Sequence, residues 1–160
     1  MWDKVSTDGA DYNMIQACSP GDIDLVIALG DDWAETFDIL DYDEEHWRQG
    51  VRTYSILNQL QWLNWYDHTN QLSGFIAGAV SAAPHSGEIT AQIHYVYLKP
   101  QHLEMTNFQE LHNAFMDWSR ATGAVSVLAP SAYTLPETYQ EYFVDLGYDH
   151  VTTVRSRGVR

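Results

Sequence analysis

The apolar positions along this chain change their period several times, and each change marks an element. Residues 12–18 (YNMIQAC) form a short run of β-formers and predict a strand. Ser19-Pro20-Gly21-Asp22 follows as a helix-start signal, with Ser19 as the cap and Pro20 in the first turn. Ile23, Val26, Ile27, Trp33 and Phe37 then recur at nearly helical spacing. The acidic stretch Asp41–Glu45 precedes a second predicted helix over about 44–58, where carboxylates favour the positive end of the helix dipole. Beyond it the period shortens. Gln59–Asp67 is rich in Trp and Tyr and ends at the turn His68-Thr69-Asn70-Gln71. Leu72–Ala82 is a continuous apolar run stopped by Pro84–Gly87, and Thr90–Leu98 alternates and is dense in β-formers. Strand-to-strand hairpins are the economical reading of 59–98.

The helical period then returns. Phe108, Leu111, Phe115 and Trp118 make one apolar stripe, expected to lie on the sheet. Thr106 with Gln109, or Asn107 with Glu110, offers a capping box at its start, and Gly123 is placed to end it. Ala124–Ala129 predicts a short buried strand, Pro136–Leu146 a last helix stopped by Gly147, and Tyr148–Arg157 a closing strand. The resulting order is β-α-α-β-β-β-α-β-α-β. It describes an α/β (α+β) fold with a central mixed sheet flanked by helices. Strands 90–98 and 124–129 are expected to run parallel and to splay at their C-terminal ends. Nothing marks a boundary, so one domain is expected over 1–160, with residues 1–11 a loose polar arm.

Composition adds limits to this picture. With 45% apolar residues, six Trp, ten Tyr and five Phe, the 160-residue chain can fill a core. Its net charge of -14 repels phosphates, which opposes direct binding to nucleic acid or an anionic membrane. The same field keeps the chain soluble and suits a basic protein partner. Cys18 stands alone, so there is no internal disulfide and no thiolate metal cluster, which favours a reducing compartment. No apolar stretch reaches bilayer-spanning length and the N-terminus lacks a signal-peptide layout, so a soluble intracellular protein is expected. The seven His are scattered singly, the run Asp41–Glu45 lacks the glycine of a calcium loop, and neither a nucleophile elbow nor a P-loop is present. No metal site is expected.

Four segments carry a resemblance: GFIAGAV at 74–80, YVYLKP at 95–100, ELHNAFMDWSRATGAVSV at 110–127 and EYFVDLGYDHV at 141–151. In this order and spacing they resemble the GNAT acetyltransferases, over Gly74 to Arg157; the N-terminal half fits by element order. In that family the loop after the proline that ends the fourth strand holds the pyrophosphate of acetyl-CoA on backbone N–H groups and a helix N-terminus. Glycines there let the backbone approach the phosphates. The corresponding stretch here is Leu103-Glu104-Met105-Thr106-Asn107-Phe108, with Leu98 on the strand before it. It has no glycine and no basic residue, and Glu104 brings a negative charge to the phosphate position. His102 beside it is read as an exposed loop residue.

Other positions depart as well. The family's general-acid tyrosine aligns with Phe143, the asparagine seven residues before it with Pro136, and an acidic base with Ile93. The remaining catalytic candidates are His94, on the opposite face of its strand from Ile93, and Tyr142, one residue off and about 100° away on a helix. Tyr95 and Tyr97 share the strand with His94, and His112 reads as a half-buried structural residue. The resemblance with these departures implies a GNAT-fold protein that has lost acetyl-CoA-dependent catalysis and acts as a protein-binding or assembly component, with no cofactor. Small GNAT-like proteins of tailed phages, internal virion proteins among them, are similar in layout, which implies a virion-associated role. The alternative is an active N-acetyltransferase that uses acetyl-CoA and modifies an amine on a small molecule or protein. A third, lesser reading is an acidic inhibitor that mimics DNA. A protein partner or second copy is expected to meet Trp62, Trp65 and Tyr66 and the arginines Arg155, Arg157 and Arg160.

Overall fold

Among the described residues, five strands build one sheet in the order β1 (Met14–Ala17), β2 (Leu60–Tyr66), β3 (Leu72–Ala82), β4 (Ile89–Leu98) and β5 (Ser126–Leu128). The first three pairings are antiparallel and β4 runs parallel to β5, so the sheet is mixed. This computed structural model describes residues 13–149. The expected arm over 1–11, nearly all of the closing strand and the three C-terminal arginines lie outside the described residues.

Helices α1 (Ile23–Thr36) and α2 (Glu44–Ile56) cover one face of the sheet. Trp47 of α2 meets Trp62 of β2 at 5.4 Å and Phe75 of β3 at 6.0 Å between ring centroids. Helix α3 (Met105–Ala121) lies on the other face, where a Cβ built on Gly78 would touch the Phe115 ring. Phe108, Leu111 and Phe115 are buried as the apolar stripe predicts, while Trp118 is only half-buried at its end. Helix α4 (Glu137–Asp145) packs Phe143 against Phe108 at 5.1 Å.

With helices on both faces, β2 and β3 are interior strands, and interior strands are apolar throughout rather than alternating. That is why Leu72–Ala82 reads as an unbroken apolar run. It also corrects the reading of Trp62, Trp65 and Tyr66 as a contact surface. They are 1%, 0% and 5% exposed and belong to the core. Trp62 and Trp65 are three apart, so they point to opposite faces: Trp62 meets α2, and Trp65 packs on His102, which precedes α3.

Two more expectations are corrected. Helix α3 starts at Met105, with Glu104 in the N-cap position and no side-chain capping bond, rather than at Thr106 or Asn107, because a short 3-10 turn at Pro100–His102 delivers the chain to the helix earlier. Strand β5 pairs with β4 over only three residues and is not buried: Val125 beside it is 64% exposed and Leu128 is 50% exposed. Gly123 ends α3 at a φ of 90°, as its position suggested.

Candidate active site

Between α1, α2 and the sheet lies a cavity of about 420 Å³. Its walls are aromatic: Trp33 from α1, Trp47 and Tyr54 from α2, Trp62 from β2 and Tyr95 from β4. Trp47 stands at 80° to both Trp62 and Tyr95, and Tyr54 at 83° to Trp62, so the rings close three sides at near right angles. Trp47, Gly50, Val51 and Tyr54 come to the cavity together because they share one face of α2. Asp41, Tyr42, Asp43 and His46 form its rim. Asp43 caps α2 through the His46 N–H at 2.9 Å, and that bond holds its carboxyl below the usual range. Gly50 has open space where a side chain would start, although a glycine inside a helix costs about 0.5–1 kcal/mol relative to alanine.

At the inner end of the cavity the sheet is irregular. Ala77 pairs with Tyr95 and Gly78 with Ile93, which leaves His94 as the extra residue of a β-bulge. A Cβ on Gly78 would stand 2.1 Å from the Gln92 carbonyl oxygen, so only glycine lets the strands meet there. The bulge leaves Ile93 fully buried and puts His94 Nδ1 2.5 Å from the Tyr54 hydroxyl, on the α2 side. Burial pushes the Tyr54 hydroxyl up and the His94 imidazole down, so both are neutral at pH 7. With the ring proton on Nε2, Tyr54 donates and Nδ1 accepts. This is a proton relay in outline: a base that is empty at neutral pH, reached through a hydroxyl that lines the cavity.

Past Gln92 and Leu128 the pairing of β4 with β5 ends, and β4 continues to Leu98 paired with β3 on one side only. This is the expected splay. The opened edge is covered by two tyrosines. Tyr133 donates to the His94 carbonyl at 2.8 Å, and Tyr139 accepts from the Leu98 N–H at 3.0 Å and donates to its carbonyl at 3.3 Å. A smaller cavity of about 310 Å³ remains at the mouth of the splay, lined by Gln92, Ile93, His94, Tyr95, Ser131 and Ala132. Tyr95 thus borders both cavities.

The stretch at the position of the family's phosphate loop sits beyond the C-terminal end of β4. Leu103 gives its carbonyl to the Tyr142 hydroxyl at 3.5 Å, Asn107 donates to the His102 carbonyl at 3.0 Å, and Phe108 is buried against Tyr139 and Tyr142. Met105 and Thr106 open α3 behind Glu104. His102 is not the free loop residue expected: its Nε2 lies 3.2 Å from Asp67. Burial would raise the Asp67 carboxyl, but bonds from Thr69, Gln71 and Ser73 outweigh it and hold the group at about 2. Tested against acetyl-CoA, the two halves of the donor side differ. The Leu98 N–H and C=O are the groups an extended amide-bearing arm would use, once Tyr139 leaves them. The loop has no glycine and no basic residue from Leu103 to Phe108, it carries the Glu104 carboxylate, and Phe108 is buried in it.

His94 and Tyr142 are not brought together. Tyr142 reaches the loop past Leu98, and Leu98 lies four positions along the strand from His94, about 13 Å. Phe143 is fully buried, as is suited to a residue with no proton to give. Sequence reading missed Tyr54, Tyr133 and Tyr139, which come from three different elements.

Two buried groups are structural. Burial raises the Cys18 thiol, so it is no nucleophile at neutral pH. His112 accepts or donates through Nε2 to the Tyr148 hydroxyl at 2.6 Å, and burial lowers its imidazole to about 4. Its unfolded value is higher, near 6.5, so its contribution to stability is whole above pH 6.5 and is lost as pH falls towards 4. The expected loss is about 2–3 kcal/mol, from 1.4 kcal/mol per unit. Urea midpoints at pH 5 and pH 7.5 measure it, and His112→Phe should remove much of the difference. An equal pH response in that variant would count against this assignment.

No protein-family model and no curated protein matches the chain in sequence. Solved structures do match in shape. A probable acetyltransferase superposes with a TM-score of 0.73 at 17% identity, over 91% of this chain and 96% of its own. The aminoglycoside N-acetyltransferase AAC(6')-Iy in complex with CoA gives 0.76 at 12% identity, over 97% and 99%. A predicted acetyltransferase with acetyl-CoA from Clostridium acetobutylicum gives 0.76 at 10% identity, over 92% and 96%. The fold is that of the GNAT acetyltransferases. At these identities it is the fold that is shared, and residue roles rest on this chain's own geometry. Among the described residues, no helix of this GNAT fold is long and apolar enough to cross a membrane.

Proposed function

We propose that this protein is an N-acyltransferase that modifies an amine held in the aromatic cavity. The observation that carries the reading is the Tyr54–His94 pair, set at the inner end of that cavity and bordering the splayed edge of β4. An amine must lose a proton to become acylated. In this reading it passes that proton to the Tyr54 oxygen while the Tyr54 proton moves to His94 Nδ1, which is neutral and ready to accept. The aromatic walls exclude water and orient the amine. When bound, acetyl-CoA would supply the acyl group as a thioester, whose C–S bond is exchanged for the new C–N bond, with the second amine proton leaving on the CoA thiol. The likeness to a fold solved with CoA supports this donor.

Donor affinity should be weak. With Glu104 at the loop and the β4 edge already bonded, calorimetry is expected to show no saturable acetyl-CoA binding at about 100 µM, or about -5.5 kcal/mol. Tyr139→Ala should tighten it by freeing the edge. Thiol release from acetyl-CoA at millimolar concentration, dependent on added amine, supports the proposal. A second reading has its own observation. The glycine-free loop with buried Phe108 and the tyrosines on β4 suit a protein that keeps the fold for binding or assembly alone. No thiol release and no acetyl-CoA binding, in the parent or in Tyr139→Ala, would favour it and remove the first.

A further inference from the structure

The cavity is a trough with two unlike ends. One end is Tyr54, beside His94. The other is the rim, where Asp41 and Asp43 stand exposed at the start of α2. From Asp43 to Tyr54 is eleven residues along one helix, about 16 Å at the helical rise. Aromatic rings line the path between, and Gly50 lies midway on the same helix face with nothing within 4 Å of where its side chain would begin. A helix-interior glycine with no neighbour to avoid is unexplained by packing. It is explained if that space must stay open to a ligand.

A ring face attracts a cation, and more strongly once water is gone. The acids at the rim and the net charge of -14 add to that preference. The one basic side chain at the rim, His46, is paired with Asp43 at 3.0 Å, so nothing there favours an anion. A single ammonium would satisfy only one end. The amine at Tyr54 has to be neutral when it reacts, so the acids at the far end serve a second charge on the same molecule.

We propose that the trough takes a linear ligand with two cationic nitrogens, one held at Asp41 and Asp43 and the other delivered to Tyr54. This rests on the cavity being the acceptor side, but its test needs neither donor nor turnover. The probe is decamethonium, a chain with a trimethylammonium group at each end that cannot be acylated, compared with tetramethylammonium by quenching of tryptophan fluorescence and by calorimetry. Decamethonium should bind at least about tenfold more tightly than tetramethylammonium, the equivalent of one further desolvated cation–π contact.

The variant Asp41→Asn/Asp43→Asn should lose most of that advantage; asparagine still caps a helix, so the fold is kept. Gly50→Leu should abolish saturable binding without lowering the thermal midpoint, since leucine is the better helix former. Equal affinity for the two probes, or full binding by the folded Asp41→Asn/Asp43→Asn and Gly50→Leu proteins, would overturn the proposal. Decamethonium binding without thiol release from acetyl-CoA would leave this inference standing and remove the acyltransferase reading. Thiol release with simple monoamines and no decamethonium binding would do the reverse.

Discussion

Replacing His94 with glutamine should slow acyl transfer about 10²- to 10⁴-fold, the usual contribution of a general base. Glutamine keeps a polar group of similar reach at the bulge but cannot take up a proton at neutral pH. The cavity walls are untouched, so affinity for the acceptor should stay the same and the loss should fall on kcat. Tyr54→Phe should lose a similar amount by cutting the relay at its first step. Because the two groups act in series, the double variant should be little worse than either single one. The pH profile adds a second readout. Burial lowers the His94 imidazole, so activity in the parent should be retained below pH 6.5 and fall only as the imidazole becomes protonated. A His94→Gln protein with parental rates would show that the pair is structural.

The second large effect is on stability. Gly78→Ala should destabilise the fold by about 3 kcal/mol or more, at the upper end for overpacking. The added methyl would stand 2.1 Å from a backbone oxygen on β4 and 2.7 Å from the Phe115 ring, and a backbone atom inside a sheet cannot swing aside. Gly50→Ala on α2, where a Cβ meets nothing, is the matched control and should be neutral or stabilising. Urea midpoints of the two variants decide the matter. An unchanged midpoint for Gly78→Ala would mean the bulge can relax, and would weaken the claim that it fixes His94.

Most of the architecture was legible because its elements are driven by burial. Leu72–Ala82 was read with its observed bounds, since an interior strand between two turn clusters is unmistakably apolar. The stripe Phe108, Leu111, Phe115 marked α3 for the same reason. The start of α3 was not legible, because the 3-10 turn after Pro100 competes with the capping signals at Thr106 and Asn107 and wins by reaching the helix first. Trp62, Trp65 and Tyr66 were misread because an aromatic cluster looks alike in a core and at an interface; only helices on both faces distinguish the two. The site was the least legible part. His94 was a candidate, but nothing local announces a bulge, and Tyr54 lies 40 residues away. Pairings of that separation come from topology, not from spacing. Tyr133 and Tyr139 are ordinary residues in the sequence and acquire their role from the backbone groups they happen to face.

Those two tyrosines have a further consequence. An uncovered strand with unmet N–H and C=O groups is a template on which another chain can add a strand, and proteins protect such edges. Tyr133 and Tyr139 meet that need within the molecule, on a stretch of β4 that β5 is too short to shield. Removing them to admit a donor therefore trades one hazard for another. The Tyr133→Ala/Tyr139→Ala protein would gain an open groove and, with it, a site for uncontrolled strand addition between molecules.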